Sequence, residues 1–158
     1  MDALARLIAT FFGAGYFPIA PATFASAIVA AILFALGPGP DQLARGHVWP
    51  EALVILLLVP VAIWSAHRAE KTLGHDASPI VIDEVVGQMI ALWMVPRSWT
   101  WMLAGFLLFR LFDIWKPLGA NEAQNAPGGF GIVADDFLAG LYAFLVLQAA
   151  LLWHLLGR

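Results

Sequence analysis

The sequence predicts an all-α fold, a small polytopic membrane helical bundle of about five short transmembrane or partly inserted helices, organised as one integral membrane domain over residues 1–158. Three observations carry this expectation. Of 158 residues, 61% are hydrophobic and 12% charged, with a mean hydropathy of +0.82, whereas soluble domains run near roughly 45–50% apolar and about 25% charged. The apolar residues gather into five segments separated by stretches rich in Pro, Gly and polar residues. Trp49, Trp99, Trp101, Trp115 and Trp153 fall near segment ends, where aromatic belts meet the membrane–water interface.

Taken in order, the opening reads as no secretory signal, because after Arg6 the apolar stretch LIATFF is short and breaks into GAGYFPIAPA. The first span is FASAIVAAILFAL (24–36), entered through rigid turns at Pro18 and Pro21, with Thr23 as a candidate N-cap. ALVILLLVPVAIWSA (52–66), VVGQMIALWMV (85–95) and WTWMLAGFLLFRLF (99–112) follow, and FLAGLYAFLVLQAALLWHLLG (137–157) is the fifth. Only the fifth reaches the ~20 residues that cross a bilayer, so the others borrow flanking residues, tilt or enter partway. The absence of Cys removes disulfides, thiolate ligands and thiol nucleophiles from consideration.

Alternation across five spans puts the N-terminus, the 67–84 loop and the 113–136 loop on one face, and the 37–51 loop, PRS (96–98) and the C-terminus on the other. Arg6, Arg68, Lys71, Arg110 and Lys116 lie on the first face and Arg45, Arg97 and Arg158 on the second, so the positive-inside rule makes the first face cytoplasmic.

Asp83, Glu84, Asp113, Asp135 and Asp136 all sit at span ends on that face. Carboxylates at membrane depth are costly and are normally paired, metal-bound or functional, so these five are expected to converge. In GIVADDFLAG (131–140) a helix cap explains one Asp but not two. Arg110, Asp113 and Lys116 recur at i, i+3 and i+6, forming one polar stripe that reads either as an internal ion-pair ladder or as part of a site. Glu84 and Gln88 share a helix face behind Asp83. Five acids against two bases leave a negative surplus, and clustered oxygen donors without Cys or a His set favour Mg²⁺ or a similar hard cation. Thr23 and Ser26, at the start of a helix, suit a phosphate, and APGGFG (126–131) can bring backbone N–H groups to the same ligand. The residues alone lead to a metal-dependent site for a phosphorylated lipid.

GAGYFPIAPATFAS, IDEVVGQMIAL, FRLFDIWKP and PGGFGIVADDFLAG, in this order, resemble the motifs of the phosphatidylglycerophosphatase A family, bacterial membrane enzymes that convert phosphatidylglycerophosphate to phosphatidylglycerol with Mg²⁺. The resemblance runs from about residue 13 to about residue 142, with Ala22 and Ala25 standing where the family usually has Gly. It implies functional roles for Thr23, Asp83, Glu84, Asp113, Lys116, Asp135 and Asp136. The mechanism it suggests has Asp83, Glu84, Asp113, Asp135 and Asp136 holding one or two Mg²⁺ ions, with Asp83, Asp113, Lys116, Asp135 and Asp136 as the catalytic set. Arg110 and Lys116 would join Thr23 and Ser26 at the substrate's phosphates. The expected setting is the bacterial inner membrane, with a phospholipid substrate, no nucleic acid and no obligatory protein partner.

Other classes fit less well. His47, His67, His75 and His154 are scattered, GIVADD lacks the Gly-x-Gly-Asp of an intramembrane aspartyl protease, and the Asp-Gly…Ala-Arg spacing of CDP-alcohol transfer enzymes is absent. A cation-coupled transporter is the non-enzymatic alternative, but acids confined to one face do not line a path at mid-depth.

Overall fold

The computed structural model of the chain describes residues 2–36, 48–117, 119, 123 and 126–157, so Arg45, His47, Arg158 and most of the 37–51 loop lie outside the described residues. Helix α1 (Asp2–Ala9) and a short 3-10 turn (Ala14–Tyr16) precede α2 (Pro21–Leu36) and α3 (Trp49–Leu73). Helices α4 (Ile82–Ala91), α5 (Trp99–Trp115) and α6 (Gly129–Leu156) follow, and no strand occurs among the described residues. Of these, α3 and α6, with 25 and 28 residues, are long and apolar enough to cross a membrane, while α2 is a shorter apolar helix of 16.

Helix α4 is the centre of the molecule. Ile82, Val85, Val86, Ile90 and Ala91 are buried, as are Asp83, Gly87 and Gln88, because α2, α3, α5 and α6 all pack around it. A helix apolar on nearly every side is stable only when wrapped in this way. At 10 residues it is about 15 Å long, half of the ~30 Å hydrocarbon core. The expected third span is therefore a short buried helix, ending in a turn at Leu92–Met94 where Met94 adopts φ +59°.

Close approach of α4 and α6 depends on two glycines. A Cβ at Gly140 would lie 2.4 Å from the Gly87 carbonyl oxygen, and one at Gly87 would lie 2.6 Å from the Asp136 carbonyl oxygen and 2.4 Å from Phe109. This small-residue crossing, of the kind that lets membrane helices touch backbone to backbone, brings the start of α4 beside the start of α6.

The helix starts differ from the sequence expectation in ways that matter for function. Helix α6 begins at Gly129, so Asp135 and Asp136 lie in its second turn and cap nothing. That early start is possible because Gly129 abuts α3, where a Cβ would come within 2.1 Å of the Ile63 carbonyl oxygen. Helix α2 begins at Pro21, a residue suited to the first helical position, so Thr23 sits inside the first turn instead of capping it. The stripe on α5 also breaks: the helix ends at Trp115, and Lys116 adopts φ +49° as its N–H donates to the Phe112 carbonyl.

The amphipathic α1, absent from the sequence expectation, buries Ala5 and Ala9 while exposing Leu4 and Leu7. Asp2 pairs with Arg68 of α3 at 3.7 Å, and the Val81 N–H donates to the Ala9 carbonyl. The N-terminal segment, the loop after α3 and the loop before α6, where Gly128 abuts His67 and Glu70 of α3, thus share one end of the bundle. At the opposite end, buried Arg97 pairs with Glu51 and donates to the Leu92 carbonyl, and the Trp93 indole N–H donates to the Val48 carbonyl.

Candidate functional site

Three elements deliver the acids to one place. Asp83 and Glu84 come from the first turn of α4, Asp135 and Asp136 from the second turn of α6, and Asp113 from the last turn of α5. The two bases in the neighbourhood are committed. Arg110 pairs with Asp113 at 2.8 Å along α5, and Lys116, turned away from the helix axis by its left-handed backbone, donates to Asp135 across to α6. Burial disfavours the Lys116 ammonium, but the Asp135 hydrogen bond and the charges of Asp135, Asp136 and Asp113 outweigh it and hold its pKa above the usual lysine value.

Five acids less these two pairings leave Asp83, Glu84 and Asp136, and these same three each offer a carboxylate oxygen within 4.8 Å of the others. Asp83 and Asp136 are buried, and Glu84 is partly so. Asp83 Oδ1, Glu84 Oε2 and Asp136 Oδ2 are shielded from solvent with no hydrogen-bond partner. Three carboxylates this close and desolvated repel one another, and the Arg110 and Lys116 charges that reach Glu84 and Asp136 are shared with Asp113 and Asp135, so a cation or protons are called for. The donor set is all hard oxygen, which fits Mg²⁺ and similar ions and offers nothing to a soft metal. The cluster can therefore bind a metal ion.

Asp113 and Asp135 lie at the rim. The Asp113 carboxylate is close enough to act on both Glu84 and Asp136, so it borders the triad while paired with Arg110. One turn deeper on α4, Gln88 is fully buried with both amide atoms unpartnered. Ser26 is buried and its hydroxyl donates to the Ala22 carbonyl, and Thr23 stands partly buried in the first turn of α2.

Asp76 is an acid that sequence reasoning passed over. It lies in the exposed loop after α3 with φ +48°, and its charge acts on Asp83 and Asp135. Six residues including Pro79 separate it from Asp83, of which only Ile82 is helical, and its setting, GHDASP, reads only as a turn. Among the described residues no histidine joins the triad: His67 and His75 both contact Glu70, at 3.0 and 2.9 Å, and His154 lies against Trp101.

Comparison with known proteins meets this geometry from an independent side. A family model described as Phosphatidylglycerophosphatase A matches residues 7–151. A Bacteroides thetaiotaomicron protein named "Putative phosphatidylinositol-3-phosphatase" is 42% identical over 151 residues, 91% of each chain. Proteins named "Phosphatidylglycerophosphatase A" from Escherichia coli and Haemophilus influenzae are 35% and 36% identical, covering 86% and 95% of this chain and 77% and 90% of their own. No solved structure matches the chain.

Proposed function

The chain belongs to the phosphatidylglycerophosphatase A family and is a phosphatase, and from that premise we propose that it hydrolyses the terminal phosphomonoester of phosphatidylglycerophosphate to phosphatidylglycerol and phosphate, using Mg²⁺. The observation that carries this reading is the triad of Asp83, Glu84 and Asp136, drawn from two helices, each with one buried carboxylate oxygen that has no hydrogen-bond partner among the described residues. A phosphoryl group brings a large negative charge, and three bare carboxylates would repel it unless a divalent cation stands between them.

Asp83, Glu84 and Asp136 hold the ion, with Asp113 and Asp135 beside them as further oxygen donors. When bound, Mg²⁺ supplies Lewis acidity at a phosphoryl oxygen and neutralises developing charge. Lys116 stays protonated through neutral pH and meets the substrate as a cation. Arg110 presents a buried, unpartnered Nε that suits a phosphate oxygen. Thr23, in the first turn of α2, remains the hydroxyl to test for phosphate binding, because the Ser26 hydroxyl already has a backbone acceptor. Residues 1–158 act as one multi-pass domain in a bacterial inner membrane, with the site at the cytoplasmic face.

A phosphatidylinositol phosphate is the second candidate substrate, favoured by the 42% identical relative named for that chemistry. The deciding experiment is phosphate release by purified protein in detergent from phosphatidylglycerophosphate, phosphatidylinositol 3-phosphate and soluble phosphomonoesters. The proposal expects the first to be hydrolysed far faster than the others. Exclusive turnover of the inositol lipid moves the assignment to the second substrate, and equal turnover of all three refutes lipid specificity.

A further inference from the structure

We propose that the groove between α5 and α6 is the seat of an acyl chain of the lipid substrate, which enters it sideways from the bilayer. This rests on the phospholipid phosphatase reading and adds where the substrate's apolar part lies. The groove has a volume of about 790 Å³ and is lined by Phe112, Trp115 and Lys116 from α5 and its end, with Tyr142, Leu145 and Val146 from α6. That is within the ~300–1,000 Å³ usual for small-molecule sites.

Its two ends differ chemically. Lys116 lines the groove and also hydrogen-bonds Asp135, so the groove adjoins the acid site through this one residue. Beyond Lys116 the lining turns apolar, with the Tyr142 and Phe112 rings meeting edge to face at 6.0 Å as one wall. A cationic end beside a metal site and an apolar tail complement a phosphate ester joined to a hydrocarbon chain.

The register on α6 fixes the direction. Asp135, Tyr142 and Val146 stand at i, i+7 and i+11, one face of the helix. At ~1.5 Å per residue, Val146 lies about 16 Å along the axis from Asp135, close to the ~15 Å depth of one leaflet's hydrocarbon. Trp115, Leu145 and Val146 are 67%, 55% and 43% exposed, so the groove has an open side toward lipid. Two further apolar hollows, one bordered by Ile32, Val54, Leu58 and Met89 and one by Phe34, Trp99 and Phe106 between α2 and α5, have no ionisable residue in their lining and so nothing to hold a headgroup.

The test fills the groove from its lipid-facing side. Leu145→Trp and Val146→Trp are compared with wild type and with Leu56→Trp, a control at an exposed position on α3. Each is assayed on dioleoyl phosphatidylglycerophosphate in mixed micelles and on the dihexanoyl lipid as monomers. The groove variants are expected to lose at least tenfold in kcat/KM on the long-chain lipid and less than threefold on the short-chain one, with Leu56→Trp unchanged on both. In parallel, wild-type protein is photolysed with phosphatidylglycerophosphate carrying a mid-chain diazirine, and the adducts should map to Phe112 and to residues 142–146. Equal losses on both lipids, no loss on either, or adducts on residues 54–61 and 82–89 instead overturn the groove assignment while leaving the phosphatase reading intact. A wild-type protein that hydrolyses neither lipid refutes the phosphatase reading itself.

Discussion

Asp136 holds a buried carboxylate oxygen that nothing among the described residues satisfies, next in sequence to Asp135, to which Lys116 is already committed. Asp136→Asn preserves shape and removes the charge. Were the pair only ornaments of a helix start, the change would cost a dipole interaction of ~0.3–1 kcal/mol and leave turnover alone. Because Asp136 instead belongs to a triad closed to within 4.8 Å, phosphate release should fall on the order of a hundredfold or more, the scale of several kcal/mol of lost transition-state stabilisation. Thermal stability measured without metal should hold or rise, since one of three mutually repelling charges is gone. Asp135→Asn should also lower turnover, but through Lys116, which loses the acceptor that positions it. A folded Asp136→Asn protein with near-normal turnover contradicts the assignment. The five acids of the cluster were legible in the sequence because charge at span ends in so apolar a chain is conspicuous. Which three would be left without an ion pair among the described residues was not, since that depends on Lys116 leaving the helix at a left-handed residue and reaching across to α6.

At the scale of helices, the site exists because α4 and α6 cross at Gly87 and Gly140. Gly140→Val should force the crossing apart: a Cβ there meets the Gly87 carbonyl oxygen at 2.4 Å, and backbone cannot step aside as a side chain can. Overpacking of this kind costs ~1–3 kcal/mol. We expect a lower melting temperature in detergent and at least a tenfold loss of turnover, since the same shift separates Asp83 and Glu84 from Asp136. Unchanged melting and unchanged turnover would show that the crossing does not assemble the site. Five apolar segments were readable from hydropathy, and each coincides with part of a helix. Their limits were not. APGGFG looks like a loop, and only the close packing of Gly129 on α3 explains why α6 starts within it. The third segment looked like a span because burial inside protein and burial inside lipid select the same residues, and α4 satisfies the pattern from within the bundle.

For the whole molecule, contacts tie each end of the bundle together. Asp2–Arg68, Val81–Ala9 and Lys116–Asp135 tie the site end together, and Arg97–Glu51 ties the other. With no native Cys, single cysteines at Ala77, Ala123 and Ser98 give a clean topology test. Membrane-impermeant labelling of intact cells should reach Ser98→Cys, while Ala77→Cys and Ala123→Cys react only once the cytoplasmic side is opened. Reaction of Ala77→Cys and Ala123→Cys from opposite sides contradicts a shared site end. The account as a whole turns on a cation held by Asp83, Glu84 and Asp136, and the most direct measurement is phosphate release from phosphatidylglycerophosphate by purified protein before and after chelation. The account predicts that excess chelator abolishes release and that added Mg²⁺ restores it; full turnover in the presence of excess chelator would contradict it.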